Sequence, residues 1–302
     1  MTLETREAPA TSPPDEAVSS DVRRDSAAPG KHQIRFATLP SAAFGWLRAA
    51  APALLLGVAI LALWQLVTAS RVIPAYDLPA PGDVLRAWLR GVGLSGASSH
   101  TTPQLLSYGL TTLMESVAGF LLGTAIAIPL GYGIARSQML ARALQPYMAA
   151  MQALPAIALA PLLTLWLGYD SPPIIALCAL IVFFPMVVNT ALGLRTLDRD
   201  VLDAARVAGA EGWTLFRYME FPLALPSILA GLRVGLTLSI TGAVVGEFVA
   251  GGQGLGELLI VASSQSDRSL EFATLLTLAL LAAILYGVAR LAERRFSYME
   301  AM

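Results

Sequence analysis

Residues Arg199–Pro226 read RDVLDAARVAGAEGWTLFRYMEFPLALP, the longest amphipathic, charge-bearing stretch between two hydrophobic segments of this chain. Its first half has apolar residues at helical spacing, which predicts a short amphipathic helix. Gly209 and Gly212 should break that helix. A second short amphipathic piece follows, and Pro222 and Pro226 are predicted to end it. Two short helices around a glycine bend predict a compact knob, residues 199–222, of the kind that contacts a partner.

The composition is that of a membrane protein. The chain has 302 residues, of which 56% are hydrophobic and only 14% are charged, and its mean hydropathy is +0.64. Soluble domains carry charges on about a quarter of their residues. The net charge of -1 gives no reason to expect a nucleic-acid partner, and the single cysteine, Cys178, excludes an intrachain disulfide.

Six mostly apolar segments are long enough to cross a bilayer, which needs about 20 residues. They cover residues 49–69, 106–134, 144–167, 174–194, 227–250 and 272–292. We therefore expect an all-α membrane protein in three parts: a disordered cytoplasmic tail at 1–45, a first span with an outer amphipathic segment at 46–105, and a core with five spans and the knob at 106–302.

The basic residues near the span ends predict the orientation, because such residues accumulate on the cytoplasmic side. With the amino terminus inside, most of them lie on the inner side. The residues expected outside are Arg71, Arg86, Arg90 and Arg268. Both termini and the knob are therefore predicted to be cytoplasmic.

The knob resembles the EAA loop of permease subunits of bacterial ABC importers. That pattern reads E-A-A, three residues, G, nine residues, I-x-L-P. Here Asp203-Ala204-Ala205 stands for E-A-A, Gly209 is the glycine, and residues 219–222 (MEFP) stand for I-x-L-P. The spacing matches throughout, and the three departures (Asp for Glu, Met for Ile, Phe for Leu) are chemically close.

The resemblance extends from about Leu78 to about Phe296, and it is strongest to the nitrate/sulfonate/taurine branch of these importers. The stretches that carry it are LPAP at 78–81, QALPAIALAPLLTLWLG at 152–168, FFP at 183–185 and GLG at 254–256.

This resemblance implies a six-helix, type I (MetI-like) permease fold with a cytoplasmic coupling helix, in a bacterial inner membrane. It further implies a permease dimer, expected to be a homodimer, with two separate ATPase subunits and an extracytoplasmic substrate-binding protein. The branch favours a small anion such as a sulfonate, taurine or nitrate as solute. Related permeases carry pyrimidine or flavin precursors, which stay open as an alternative.

The chain itself lacks the residues for nucleotide hydrolysis or other catalysis. Its only lysine, Lys31, sits in PGKHQ, and no G-x-x-x-x-G-K-[ST] motif is present. No metal-ligand spacing and no Ser/His/Asp set is found either, so we expect no catalytic residue, metal or cofactor. A secondary transporter is the competing class, but it would need ion-coupling carboxylates on several spans, and here Glu247 is essentially alone.

The residues expected to couple to an ATPase lie in the knob. They are Asp203, Ala204, Ala205, Gly209, Trp213, Phe216 and Pro222. An apolar face would dock in a groove of the partner, as amphipathic helices do, and it consists of Ala205, Ala208, Trp213, Leu215 and Phe216. Gly209 is expected to adopt a positive φ, which a residue without Cβ tolerates at low cost.

The translocation path has three candidates, Glu247, Arg233 and Asn189. A carboxylate inside a span is costly, so Glu247 should face a cavity or a partner; packing against a neighbouring span with a hydrogen bond is the alternative. Arg233 lies on a similar face about 21 Å away, too far to pair directly. Glu115, near the outer end of the second span, is expected to reach the interface.

The segment Gly252-Gln253-Gly254-Leu255-Gly256, which contains the gate candidates Gly254, Leu255 and Gly256, resembles a phosphate-binding loop only superficially, because it follows a membrane span and not a strand. The family resemblance implies instead an outer gate or a contact for the binding protein.

Overall fold

The computed structural model of the chain describes residues 42–74, 76–94 and 104–297, with side chains left out at 42–50, 292, 296 and 297. The predicted tail therefore lies almost entirely outside the described residues. The chain divides into two compact units at Leu54–Leu55. The first contributes only the start of one helix, and all contacts below belong to the second.

The described residues form helices and connecting turns, with no strand among them. In chain order the helices are α1 (Ala42–Ala69), α2 (Pro81–Gly91), α3 (Gln104–Arg136), α4 (Gln138–Ala153), α5 (Ala156–Leu167), α6 (Ser171–Arg195), α7 (Arg199–Val207), α8 (Gly212–Leu215), α9 (Phe221–Ala250), α10 (Leu255–Ser264) and α11 (Arg268–Ser297). A π-helical turn, Phe216–Glu220, joins α8 to α9.

Six membrane spans are confirmed if a bent pair of helices is counted as one. Five spans are continuous, and α4 with α5 makes the sixth. The third predicted span, 144–167, is not one continuous helix, because α4 and α5 meet at 96°. Leu154 and Pro155 are extended there, with ψ of 130° and 120°. Proline lacks an N–H and disfavours helix at the residue before it, so the helix breaks at this dipeptide.

The core of the bundle is the packing of α6 between α3 and α9. Small residues make this close approach possible. A Cβ added at Gly119 would lie 2.2 Å from Cys178 Cβ, and one at Gly123 would lie 2.5 Å from the Ala179 carbonyl oxygen. The two backbones therefore touch, and α6 is the most deeply buried span.

The prolines after the knob do not end its second helix, so that prediction was wrong. The chain runs helically from Gly212 through the π-helical turn into α9, ending at Ala250. Pro222 directly follows the irregular π-helical turn and Pro226 lies within α9, and the helical run accommodates both. The knob is thus continuous with the fifth span.

Candidate functional site

The first helix of the knob, α7, is fixed at its start and along one face. The Asp198 carboxylate accepts a 2.9 Å hydrogen bond from the Asp200 backbone N–H and so caps the helix. Leu202 is buried, while Val207 is 91% exposed. Asp203 forms an ion pair with Arg206 one turn later. Only one face of α7 therefore packs on its own chain, and the other is open.

Helix α7 ends in a C-cap motif that is closed by Gly209. The Ala210 N–H donates to the Ala205 carbonyl and the Gly209 N–H donates to the Arg206 carbonyl, both at 2.9 Å. This pair of bonds defines a Schellman motif, whose closing residue must be left-handed. Gly209 has φ +90°, which confirms the predicted positive φ.

Phe216 is the centre of the aromatic cluster under the knob. Its ring lies 4.6 Å from Tyr132 at the end of α3, 5.2 Å from Trp213 and 5.8 Å from Phe221, measured between centroids. Leu215 is only 2% exposed. The expectation that Leu215 lies on an open docking face was therefore wrong, because it packs into its own protein.

An ion pair anchors the π-helical turn to the end of α3. Arg136 reaches the Glu220 carboxylate at 2.9 Å, and its Nε donates to Tyr132 Oη at 3.3 Å. Glu220 is 4% exposed. A buried carboxylate held by a guanidinium fixes the orientation of the turn. Beside it, Arg195 at the end of α6 donates to the Ile134 carbonyl at 2.8 Å.

The predicted coupling residues come together in this knob but differ in exposure. Trp213 is 72% exposed. Asp203, Ala204 and Gly209 are also exposed, and Ala205 is half-buried, as is Phe216 in the aromatic cluster. Pro222 lies in the first turn of α9. The knob therefore presents a large aromatic side chain and the α7 surface outward on a rigid base.

The predicted path residues lie in separate places. Asn189 lines a cavity of about 440 Å³ between the α4–α5 bend and α6, together with Gln152 and Phe184. Its amide nitrogen donates to the Pro185 carbonyl at 2.8 Å. Arg233 forms an ion pair with Glu293 of α11 at 2.9 Å. The structure thus places Asn189 at a cavity.

Glu247 is fully buried and lies against the start of α10. Its Oε2 accepts a 2.5 Å hydrogen bond from the Gly256 N–H, and the Thr112 hydroxyl accepts one from the Leu255 N–H at 2.8 Å. The predicted outer segment Gly254-Leu255-Gly256 therefore wraps this carboxylate.

Residues 119–298 match the family model described as "binding-protein-dependent transport system inner membrane component". The chain belongs to this permease family. It is 40% identical over 242 residues to the riboflavin transport system permease protein RibX of Chloroflexus aurantiacus, covering 80% of this chain and 87% of that one. It is 29% identical over 252 residues to the putative aliphatic sulfonates transport permease protein SsuC of Bacillus subtilis, covering 83% and 87%.

The permease fold is also that of a solved transporter. The inward-facing MetNI methionine ABC transporter aligns with a TM-score of 0.60 at 17% identity, covering 66% of this chain and 99% of that one. The expected MetI-like fold is therefore confirmed.

Sequence reasoning missed several residues that hold this permease together. Glu115 was expected at the membrane interface, but it is 3% exposed, and its Oε1 accepts a 2.6 Å hydrogen bond from Ser171. That prediction was wrong, because Glu115 points into the bundle. Glu220 stands at the unspecified position of I-x-L-P, so the motif gave no signal for its pairing with Arg136. Nothing in the sequence indicated that Glu115 faces Glu247 inside the bundle.

Proposed function

We propose that this permease subunit forms the translocation path of an ATP-driven importer, and that the knob is the element on which a separate ATPase subunit acts. The observation that carries the proposal is the rigid presentation of Trp213 and the outer face of α7. The Gly209 cap, the Phe216 cluster and the pair Arg136–Glu220 fix the knob to α3 and α9. A displaced knob must therefore move the spans with it.

The partners follow from the family and from the shape of the knob. Two ATPase subunits would dock on the knobs of two permease copies, expected to be a homodimer, and a substrate-binding protein would deliver the solute from outside. The distribution of basic residues supports a cytoplasmic knob and cytoplasmic termini. Gly254, Leu255 and Gly256 would then lie at the outer end, as gate or binding-protein contact.

The cavity beside the α4–α5 bend is the best candidate for part of the path. Asn189 and Gln152 offer amide groups there, and Phe184 an aromatic face. The neighbouring cavity, about 390 Å³, includes Gln152 and ends at Arg195. Arg233 and Glu247 stay predicted path residues, and they would reach the path only if α9 moved away from α11 and α10.

The solute we favour is an uncharged heterocycle of the flavin type. The cavity with Asn189 has no charged side chain in its lining, and its mixture of amide and apolar groups suits such a ring system. The 40% identity to a riboflavin permease points the same way. A sulfonate-type anion is the second candidate, favoured by Arg195 in the adjoining cavity and by the similarity to SsuC.

Reconstitution into proteoliposomes tests this function. The permease would be assembled with its ATPase and its substrate-binding protein, and uptake of radiolabelled riboflavin and taurine would be measured with ATP or with a non-hydrolysable analogue. We expect uptake of riboflavin that requires ATP, the ATPase and the binding protein. Uptake by the permease alone would contradict an importer subunit. ATP-dependent uptake of taurine without riboflavin would contradict only the choice of solute.

A further inference from the structure

Two carboxyl groups from different spans meet inside the bundle. Glu115 belongs to α3 and Glu247 to α9, and their side chains are 3% and 0% exposed. The two groups interact directly with each other. Neither has a place in the coupling knob or in the cavity beside Asn189.

Each carboxyl has one oxygen that accepts a hydrogen bond and one that does not, and the Thr112 hydroxyl is a further polar neighbour of Glu247. Ser171 donates to Glu115 Oε1 at 2.6 Å, and the Gly256 N–H donates to Glu247 Oε2 at 2.5 Å. Glu115 Oε2 and Glu247 Oε1 are buried and have no hydrogen-bond donor among the described residues. Buried polar atoms are almost always paired, so two such oxygens, on carboxyl groups that interact with each other, require an explanation.

The surroundings offer no positive charge to explain the pair. The other titratable groups that act on it are Asp170, before α6, and Cys178, within α6. No basic side chain in the described part of the chain is among the interacting groups. No described cluster of three or more His, Cys, Asp or Glu residues could hold a metal ion. Two adjacent carboxyl groups that are both buried are strongly disfavoured from being ionised at the same time.

We propose that Glu115 and Glu247 bind one proton between them, which makes the pair a proton site joining α3 to α9. The neutral carboxyl donates its O–H to the neighbouring carboxylate, so a single proton taken from water satisfies both unpartnered oxygens. One negative charge remains, and the N–H groups at the start of α10 stabilise it.

The proton site also positions α10. A Cβ at Gly254 would lie 2.0 Å from the Glu247 carboxyl carbon, and one at Gly256 would lie 2.8 Å from its Oε2. Only glycine therefore fits at positions 254 and 256, next to the Glu247 carboxyl group. Loss of the shared proton leaves two charges in contact, so it should loosen the start of α10. The proposal rests on this geometry and does not depend on the importer function.

Infrared spectroscopy of the full-length permease in lipid nanodiscs tests the shared proton. Glu257 has a buried oxygen without a partner too, so all proteins would carry Glu257→Gln. We expect a protonated-carboxyl band at neutral pH that shifts in D₂O and is lost in both Glu115→Gln and Glu247→Gln. The control, Asp77→Asn at an exposed site, should keep it. Absence of the band from the parent, or its persistence in either glutamine variant, overturns the proposal.

Hydrogen exchange of α10 tests the positioning role at one fixed pH. Glu247→Gln retains an oxygen for the Gly256 N–H, whereas Glu247→Ala does not. We expect exchange across residues 255–264 close to that of the parent protein in the glutamine variant and at least tenfold faster in the alanine variant. Equal acceleration in both would refute this role. If the variants do not fold, the infrared band of the parent protein can be titrated with alkali. The proposal requires that this band disappear as one proton per chain is released.

Discussion

Replacing Gly209 with valine should uncouple the knob without unfolding the permease. Gly209 has φ +90°, and a Cβ added there meets no atom within 4 Å. The free-energy cost of the substitution is therefore backbone strain alone. It is about 1–3 kcal/mol for a residue held in a sparsely populated region of φ and ψ. At 1.4 kcal/mol per tenfold, this reduces the population of the native cap about 5- to 150-fold. The core between α3, α6 and α9 is untouched.

The assay is copurification with the ATPase together with ATP-driven uptake. We expect both to fall in the order Gly, Asn, Ala, Val at position 209, because asparagine tolerates the left-handed region best among residues with side chains. Gly287→Val is the matched control, since a Cβ there also meets nothing and Gly287 lies in regular helix. Wild-type copurification and uptake in Gly209→Val would refute the reasoning, as would an equal loss in the control.

Three further substitutions probe separate parts of the knob and bundle. Trp213→Ala should lower ATPase copurification but lower the melting temperature less than Glu220→Gln does, because the side chain is 72% exposed and touches the Phe216 ring only at the edge of the cluster; an equal or larger fall in melting temperature would contradict this. Glu220→Gln should destabilise the permease by about 1–3 kcal/mol, since it removes the charged partner of Arg136, and an unchanged thermal melt would disprove it. Gly123→Ala places a Cβ 2.5 Å from an α6 carbonyl oxygen and should reduce the yield of folded protein, whereas Gly57→Ala, with nothing nearby, should not.

Helix content and the position of the knob could be predicted because their signals are local. Apolar segments of about 20 residues indicate spans on their own. Gly209 indicates a position at which the backbone needs a positive φ, and the structure confirms this with φ +90°. The bend at Leu154–Pro155 carried a local signal too, but prolines also occur inside α3, α6 and α9 without a comparable break. Tertiary packing decides which proline interrupts a span.

The contacts that fix the site could not be predicted, because they join residues distant in sequence. Glu220 pairs with Arg136 across 84 positions, and Glu115 meets Glu247 from another helix. Unless the arrangement of α3 and α9 is known, an acidic residue that faces the membrane interface cannot be told from one that faces the interior of the bundle. The packing of the glycines at 254 and 256 around the Glu247 carboxylate could not be predicted for the same reason, since that carboxylate lies on the preceding helix.

The unbroken helical run from Gly212 to Ala250 has a mechanical consequence. Its 39 residues amount to about 58 Å at 1.5 Å per residue, nearly twice the thickness of a bilayer's hydrocarbon core. One end carries Trp213 and the other ends three residues after Glu247. No loop interrupts the run between its two ends, so we expect a tilt imposed at the tryptophan end to reach the start of α10, with the π-helical turn and Pro226 as the points where the run could bend.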